Sequence, residues 1–229
     1  MDEEILKGLI KKPTGGEWPC TGGCGKMLDW PGACSECIAK FERSLRGFVE
    51  KTIEEKLREA EVPPASISRY TWEGVRNVPD PQALRAWAGK PPLLTLSGPA
   101  GTGKTAIGVL LIETWLEAGN QARYVHVPRL IESLRRRDDA ARADAQAALD
   151  TARAVKGLVV LDEAIALRQT EFAVDTVLQT VDYRLSYELP TVVITNAPLD
   201  VIRGLDERLS SRLSGGWIVF VAGHDLRAR

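Results

Sequence analysis

The sequence predicts an α/β fold in which a parallel β-sheet carries α-helices on both faces, preceded by a small cysteine-rich helical module. Three observations support this prediction. A glycine-rich loop, Gly98 to Thr105, stands between an apolar run and an apolar helical pattern. A second continuously apolar run, Leu158 to Leu161, ends in two carboxylates, and all four cysteines lie between positions 20 and 37. Continuous apolar runs that alternate with helical patterns are typical of parallel strands buried on both faces.

The composition limits the classes of protein to consider. The chain has 229 residues, 44% of them hydrophobic, which is enough for one large or two modest domains with a real core. A net charge of −1 would not drive strong non-specific binding to nucleic acid, so such a contact needs a local patch. No apolar run is long enough for a transmembrane helix, and the charged N-terminus lacks the apolar core of a signal peptide. We therefore expect a cytoplasmic protein without membrane contact.

The cysteines form two close pairs. Three residues separate Cys20 from Cys24, two separate Cys34 from Cys37, and glycines 22, 23 and 25 surround the first pair. In a reducing compartment this clustering favours a metal over disulfides, and glycine turns let backbone amides point at thiolate sulfur. We predict a structural zinc site with four thiolate ligands. The alternatives are four unrelated reduced cysteines and a redox Cys-x-x-Cys motif, although the strand expected before such a motif is missing.

Helical periodicity surrounds the cysteines. Apolar side chains at positions 5, 6, 9 and 10 predict a short helix, and those from Ser35 to Glu61 predict one long helix that Pro63-Pro64 ends. We expect residues 1–62 to form a zinc-binding, helical, partner-binding module and residues 63–229 to form the second domain. The module carries 10 basic and 12 acidic side chains, so a protein partner suits it better than DNA. The alternative is that the apolar stripe of the long helix packs within its own chain.

The loop from Gly98 to Thr105 matches the pattern G-x-x-x-x-G-K-[ST] and lies between a strand pattern and a helix pattern. Its glycines allow backbone N–H groups to surround phosphate oxygens, and the N-terminus of the following helix adds partial positive charge. Lys104 is expected to reach the β- and γ-phosphates of ATP, and the Thr105 hydroxyl to ligate Mg²⁺. The alternative is a glycine-rich turn that binds nothing. The predicted nucleotide-binding residues of the loop are Gly98, Pro99, Ala100, Gly101, Thr102, Gly103, Lys104 and Thr105.

Polar side chains follow two further apolar runs. Asp162 and Glu163 come directly after Leu158–Leu161, and Asn196 follows Thr191–Thr195. Because ligands of parallel sheets bind at the carboxyl ends of the strands, we expect these side chains near the phosphates. Asp162 is predicted to hold Mg²⁺ through water, Glu163 to activate the attacking water, and Asn196 to orient that water or contact the γ-phosphate. The alternatives are a carboxylate pair that caps a helix and an asparagine that forms a turn.

Arginines provide further candidates. Arg208 and Arg212 lie one helical turn apart in the segment Leu205–Leu213, and two outward arginines beside a nucleotide site suggest stabilisation of phosphate charge in a neighbouring subunit. Arg135–Arg137 and the loop near Leu167-Arg168 are candidates for contact with a DNA backbone. For Arg208 and Arg212, and likewise for Arg135–Arg137, the alternative is an ordinary solvated surface.

Residues 70–229 resemble the AAA+ ATPases, and within them the DnaC/DnaI helicase loaders and the related IstB transposition ATPases. The resemblance rests on the segments GPAGTGKT, LVVLDEA, YRLSYELPTVVITN and LDERLSSRL, and on the end of the chain soon after them. It implies that Gly98–Thr105 is the Walker A loop, that Asp162 and Glu163 form Walker B, and that Asn196 is sensor 1. It implies an arginine finger at Arg212, with Arg208 as the second choice.

The resemblance implies three further features. Arg184 matches an arginine often seen before the proline–threonine strand of loaders, which implies a place at the subunit interface. The segment 223–227 is similar to the closing Gly-x-Ser-x-Arg of the family, although Asp225 replaces the serine, and implies that Arg227 senses nucleotide. The chain stops shortly after Gly216, which leaves no room for the C-terminal helical lid of most AAA+ proteins and is similar to the loaders.

The function that the resemblance implies is ATP hydrolysis with Mg²⁺ in a self-associating protein that loads a hexameric replicative DNA helicase onto single-stranded DNA. The cysteine module would grip the helicase. Three other functions stay open: an IstB-like helper ATPase that activates a transposase on duplex DNA, a nucleotide-switch adaptor without productive hydrolysis, and a zinc-finger DNA-binding regulator. The presence of Glu163 argues against the adaptor, and the acidic balance of residues 1–62 argues against the regulator.

Overall fold

A computed structural model of the chain describes residues 17–29, 32–46, 51–165 and 170–223. The short helix expected at positions 5–10, the loop near Leu167-Arg168 and Arg227 lie outside the described residues. The chain divides into two compact units, Met1–Lys51 and Thr52–Arg229. Among the described helices, none has both the length and the hydropathy that crossing a membrane requires.

The described part of the first unit is a small hairpin followed by a helix. Strand β1 (Trp18–Pro19) pairs antiparallel with strand β2 (Met27–Leu28), and helix α1 covers Ser35–Arg46. The hairpin turn carries the first cysteine pair, and the second pair stands at the start of α1. This short framework is therefore built around the four cysteines.

The single helix predicted from Ser35 to Glu61 is wrong. A separate helix, α2 (Ile53–Glu59), begins after Thr52, which is its non-helical N-cap. The Thr52 hydroxyl accepts the N–H of Glu55 at 3.3 Å, and the Glu55 carboxylate accepts the N–H of Thr52 at 2.8 Å. This reciprocal capping satisfies amides that a first helical turn leaves unpaired, and so it starts a new helix.

Helix α2 belongs to the second unit. Leu57, Ala60 and Val62 are almost fully buried in an apolar cluster that includes strands of the sheet. The Ala60 carbonyl also accepts the N–H of Tyr124 at 2.7 Å. The sequence predicts a domain boundary after residue 62, whereas the two units divide after Lys51. Periodicity shows that a helix has an apolar stripe but does not show which body covers it.

The second unit is built on a parallel sheet of five strands. They are β3 (Leu93–Ser97), β4 (Ala122–His126), β5 (Leu158–Ile165), β6 (Thr191–Thr195) and β7 (Trp217–Phe220). Their order across the sheet is β4-β5-β6-β3-β7, and each neighbouring pair is parallel. The predicted parallel sheet is confirmed. Because all strands run the same way, their carboxyl ends meet at one edge, where the predicted polar side chains follow.

Helices cover both faces of this sheet. They are α3 (Pro81–Arg85), α4 (Lys104–Glu117), α5 (Val127–Leu134), α6 (Asp139–Ala154), α7 (Glu171–Ser186), α8 (Leu199–Leu205) and α9 (Glu207–Ser214). Alternate strand residues enter different clusters: Leu94 and Val160 pack with α4, whereas Leu93 and Val159 pack with α6 and α7. Each such buried side chain contributes roughly 1.5–3 kcal/mol. Coverage of both faces explains why the inner strands β3, β5 and β6 are almost continuously apolar and buried.

Arg184 lies inside this core. Its side chain is fully buried, and its guanidinium donates to the Thr191 hydroxyl at 2.8 Å and to five backbone carbonyls at 2.8–3.2 Å. The accepting carbonyls belong to Ala152, Arg153, Val155, Gly157 and Pro190. Burial lowers the pKa of Arg184 to about 10, so the group stays charged at neutral pH. The implied place at a subunit interface is wrong, because contacts within its own chain occupy the whole side chain.

Candidate nucleotide site and cysteine cluster

The glycine-rich loop connects the end of β3 to the start of α4 at the carboxyl edge of the sheet. Gly103, directly before α4, has a φ of 97°, a left-handed conformation that favours glycine. Lys104 is only 5% exposed, and its ammonium donates to the carbonyls of Gly98 at 2.8 Å and Pro99 at 2.5 Å. The loop thus curls around Lys104. Its amides and the N-terminus of α4 are suited to an anion such as phosphate.

Asp162, on β5, accepts hydrogen bonds from three residues. The Thr105 hydroxyl lies 3.0 Å from Oδ2 and 3.3 Å from Oδ1, and the Tyr124 hydroxyl donates to Oδ2 at 2.5 Å. The N–H of Glu163 donates to Oδ1 at 2.9 Å. Asp162 is 2% exposed, so these bonds replace the water that its carboxylate loses on burial. A hydroxyl beside a carboxylate offers the oxygen ligands that Mg²⁺ prefers.

Tyr124 was not among the site residues predicted from the sequence. It lies on β4, is 4% exposed and packs in the same apolar cluster as Leu158 and Val160. Burial, together with the nearby Asp162 carboxylate, raises the pKa of Tyr124, so its hydroxyl stays protonated and donates. The sequence feature that could have identified Tyr124 as a site residue is an aromatic side chain with a polar hydroxyl inside a predicted strand. Its partner stands on a different strand, which the local sequence does not reveal.

Glu163 has a φ of 51°, a strained value for a residue with a side chain, and such strain is common at functional sites. Its half-exposed carboxylate places Oε2 3.5 Å from Nε2 of His126. The other ring nitrogen of His126, Nδ1, accepts the N–H of Arg129 at 3.3 Å and caps α5. Asn196 is exposed at the end of β6 and lines the same cleft as Glu163.

The cleft that holds these side chains has a volume of about 490 Å³, a size typical of small-molecule sites. It joins Lys104, Thr105, Asp162, Glu163 and Asn196, as the sequence predicted. One further wall of the cleft was not predicted from the sequence. It comes from the segment 69–77, where Asn77 Nδ2 donates to the Thr102 carbonyl at 3.0 Å. Irregular backbone of this kind leaves no periodic signal in the sequence.

The structure does not bring Arg208 or Arg212 into this cleft. Both are exposed on α9, one turn apart as their spacing predicted. Arg212 Nε donates to Asp182 at 2.5 Å, and Arg208 pairs with Asp206 at 3.0 Å. Their guanidinium groups therefore face solvent, where a neighbouring molecule can reach them.

The four cysteines form a compact cluster in the first unit. Their Sγ atoms all lie within 4.8 Å of one another. Thiolates at about 2.3 Å from one tetrahedral zinc ion stand about 3.8 Å apart, so the cluster fits zinc with a small contraction. The N–H groups of Cys34 and Gly22 donate to Cys20 Sγ at 3.2 and 3.4 Å. Gly22 leaves no room for a side chain, since a Cβ there would stand 2.6 Å from Cys37 Sγ.

Hydrogen bonds shift the pKa values of two of these thiols in opposite directions. The N–H of Cys34, helped by that of Gly22, lowers the pKa of Cys20 to about 6. Contacts with Cys24 and then Cys20 raise the pKa of Cys37 to about 12. The thiolate form is thus favoured at Cys20 and disfavoured at Cys37, and a divalent cation would relieve the repulsion between thiolates.

Comparisons with known proteins identify a family for most of the second unit. The family model described as IstB-like ATP binding protein matches residues 50–202. A comparison with curated protein sequences finds no match.

Three solved structures illustrate the fold. The structure of DnaI aligns with a TM-score of 0.57 at 18% identity, over 72% of this chain and 93% of that chain. The DnaC helicase loader aligns with a TM-score of 0.51 at 18% identity, over 61% of this chain and 84% of that chain. The replication initiator DnaA, bound to AMPPCP and single-stranded DNA, aligns with a TM-score of 0.56 at 18% identity, over 69% and 51% of the two chains. This chain therefore spans about half of that initiator, and the likenesses show an AAA+ fold.

Proposed function

Because this chain belongs to the family of IstB-like ATP binding proteins, we propose that it is an ATPase that loads a replicative DNA helicase. One observation carries the enzymatic part: Lys104, the Thr105–Asp162 pair and Glu163 converge in one cleft. Loading is supported by the fold shared with DnaI and with the DnaC helicase loader. It is further supported by a cysteine module that precedes the ATPase unit.

ATP binds with its triphosphate against the loop amides and the N-terminus of α4. Lys104 stands among the loop carbonyls and exchanges them for β- and γ-phosphate oxygens. Tyr70, Val75 and Leu110 line the cleft and offer the flat, apolar surface that suits a purine base. The hydrogen bond from Asn77 to the Thr102 carbonyl supports this placement of the base, because it fixes the glycine-rich loop to the wall formed by residues 69–77.

Hydrolysis joins the oxygen of a water molecule to the γ-phosphorus and breaks the bond to the β-phosphate, releasing ADP and phosphate. Glu163 takes the proton from this water, and Asn196 orients the water or the γ-phosphate. Thr105 and Asp162 are the residues that would hold Mg²⁺, which when bound neutralises charge on the β- and γ-phosphates. The half-exposed Glu163 carboxylate at the cleft supports its role as the base.

Arg212 acts on the nucleotide of a neighbouring subunit in this proposal, with Arg208 as the second choice. Its position on α9, exposed and outside its own cleft, is what a finger supplied in trans requires. Hydrolysis then depends on self-association through the AAA+ unit, and turnover per subunit rises with protein concentration.

The N-terminal module is the part that binds the helicase. Cys20, Cys24, Cys34 and Cys37 hold zinc, whose closed four-thiolate site stabilises the hairpin and the start of α1. Met27 and Ile38 of this module are 54% and 41% exposed. Exposed apolar side chains on a small zinc module support binding to a protein rather than to DNA.

Single-stranded DNA is the second partner. Arg135, Arg136 and Arg137 are all exposed directly after α5, where a phosphate backbone can reach them.

We place the protein in the cytoplasm, where replicative helicases act.

A second candidate function is help to a transposase on duplex DNA, which the description of the matched family favours. Affinity capture from matched mixtures separates the two. A loader retains a hexameric replicative helicase in the presence of ATP, whereas a transposition helper retains the transposase and prefers duplex to single-stranded DNA.

The deciding experiment measures ATP turnover per subunit against protein concentration, with and without single-stranded DNA and helicase. We expect turnover to rise with concentration and to rise again with DNA. A low turnover that ignores concentration, DNA and helicase would overturn the loader proposal and favour a nucleotide-switch adaptor.

A further inference from the structure

We propose that Tyr124 is a positioning residue for the magnesium carboxylate: its hydroxyl fixes the orientation in which Asp162 receives Mg²⁺. This inference rests on the proposed function, because it assumes that the cleft binds Mg²⁺ with ATP. It assigns a role to a residue outside the glycine-rich loop and the Asp162-Glu163 pair.

The first support is the pattern of donors around Asp162. Oδ2 accepts the Tyr124 hydroxyl at 2.5 Å and the Thr105 hydroxyl at 3.0 Å, while Oδ1 accepts the N–H of Glu163 at 2.9 Å. Thr105 is itself a predicted Mg²⁺ ligand, and the Glu163 amide belongs to the same strand as Asp162. Tyr124 is thus a hydrogen-bond donor to Asp162 that comes from a different strand and is not itself a predicted Mg²⁺ ligand.

The second support is the geometry of the two strands. In the parallel register, His126 lies opposite Asp162, and Tyr124 lies opposite Val160, two residues earlier. Residues two apart on a strand share a face, so Tyr124 and Asp162 point to the same side of the sheet. The tyrosine ring extends along the strand to the carboxylate, a span that a shorter hydroxyl side chain would not cover.

The third support is the rigidity of the tyrosine itself. Tyr124 is 4% exposed, with its ring in the apolar cluster of the sheet, and its backbone N–H donates to the Ala60 carbonyl at 2.7 Å. The hydroxyl is therefore held by both ring packing and main-chain pairing. A fixed donor of this kind orients a metal-holding carboxylate, and removal of such a partner typically weakens metal affinity about 10–100-fold.

The test compares Tyr124→Phe with the unchanged chain in binding rather than in turnover. Phenylalanine keeps the ring in the core and removes only the hydroxyl. The measurement is the fluorescence of a labelled ATP analogue, titrated with Mg²⁺ and repeated in EDTA. We expect the half-saturating Mg²⁺ concentration to rise about 10-fold, with binding in EDTA unchanged. Tyr187→Phe, which removes the same hydroxyl from a 64% exposed residue directly after the end of α7, serves as the matched control.

A double substitution shows whether the hydroxyl acts through Asp162. In an Asp162→Asn background, Tyr124→Phe should produce no further change in Mg²⁺ dependence. Equal weakening with and without Mg²⁺, an undiminished effect in that background, or failure of Tyr124→Phe to fold would each overturn the inference in favour of a purely structural tyrosine. If the unchanged chain bound the analogue without any Mg²⁺ dependence, the proposed function would fail as well, which distinguishes the two failures.

Discussion

The Thr105 hydroxyl lies 3.0 Å from the Asp162 carboxylate, although 57 residues separate the two in the sequence. One stands in the first turn of α4 and the other on β5, and the carboxyl edge of the sheet brings them together. This contact is the structural core of the candidate magnesium site.

Replacement of Thr105 tests that contact directly. Thr105→Val keeps the shape but removes the hydroxyl, so we expect roughly 100-fold lower ATP turnover at limiting Mg²⁺. Thr105→Ser keeps the hydroxyl and should retain most of the activity. The measurement is initial rate against Mg²⁺ concentration. Equal rates for the two variants would contradict a role for the hydroxyl.

Glu163→Gln separates binding from hydrolysis. The amide cannot take a proton from water, so turnover should fall about 100-fold or more, while ATP binding changes little. Filter binding of ATP and release of phosphate measure the two steps. Glu117→Gln, an exposed site at the end of α4, is the control. Undiminished hydrolysis in Glu163→Gln would show that the base lies elsewhere.

Mixing two inactive variants tests the arginine finger in trans. Arg212→Ala lacks the finger and Glu163→Gln lacks the base, and each alone should lose at least about 100-fold in turnover. In a mixed assembly, some boundaries combine the intact Glu163 of one subunit with the intact Arg212 of its neighbour. We expect the mixture to recover part of the activity. The alternative outcome is a mixture that stays as inactive as its two components. If Arg208→Ala is then inactive alone but recovers activity when mixed with Glu163→Gln, the finger would be Arg208.

Arg184→Ala should destabilise the second unit by about 3 kcal/mol or more, because it leaves buried carbonyl groups and the Thr191 hydroxyl without their donor. Urea unfolding followed by circular dichroism measures the change. Arg142→Ala, whose side chain is 56% exposed and pairs only with Asp139 among the described contacts, should shift stability by less than about 0.5 kcal/mol. Comparable stabilities for the two variants would contradict a structural role for Arg184.

Removal of zinc should affect the first unit and spare the second. We expect one zinc ion per chain by metal analysis and its loss in Cys34→Ser, since a closed site needs all four thiolates. Helicase binding should then fall while ATP binding persists. Asp29→Asn, an exposed change in the same segment, should keep both the metal and the partner. Full zinc content in Cys34→Ser would argue against a four-cysteine site.

Local patterns in the sequence were sufficient for the parts of this protein that depend on neighbouring residues. The Gly98–Thr105 loop needs glycine at particular positions, the run before Asp162 needs apolar side chains on both faces, and each cysteine pair needs a tight turn. The start of α2 could also have been predicted, because Thr52 and Glu55 have the spacing of a capping box. The apolar periodicity that continues from Ser35 to Glu61 favoured a single helix instead.

Only the tertiary structure decided features that join distant segments. The resemblance places Arg184 at a subunit interface, whereas the packing of α6, α7 and β6 buries it among the carbonyls around Gly157. Tyr124 and the wall at 69–77 likewise acquire meaning from partners on other elements. Hydrogen bonds and apolar packing act over a few ångströms in space and are indifferent to separation along the chain. The sequence alone therefore determined the motifs and the strands, and the packing of the sheet decided which side chains surround them.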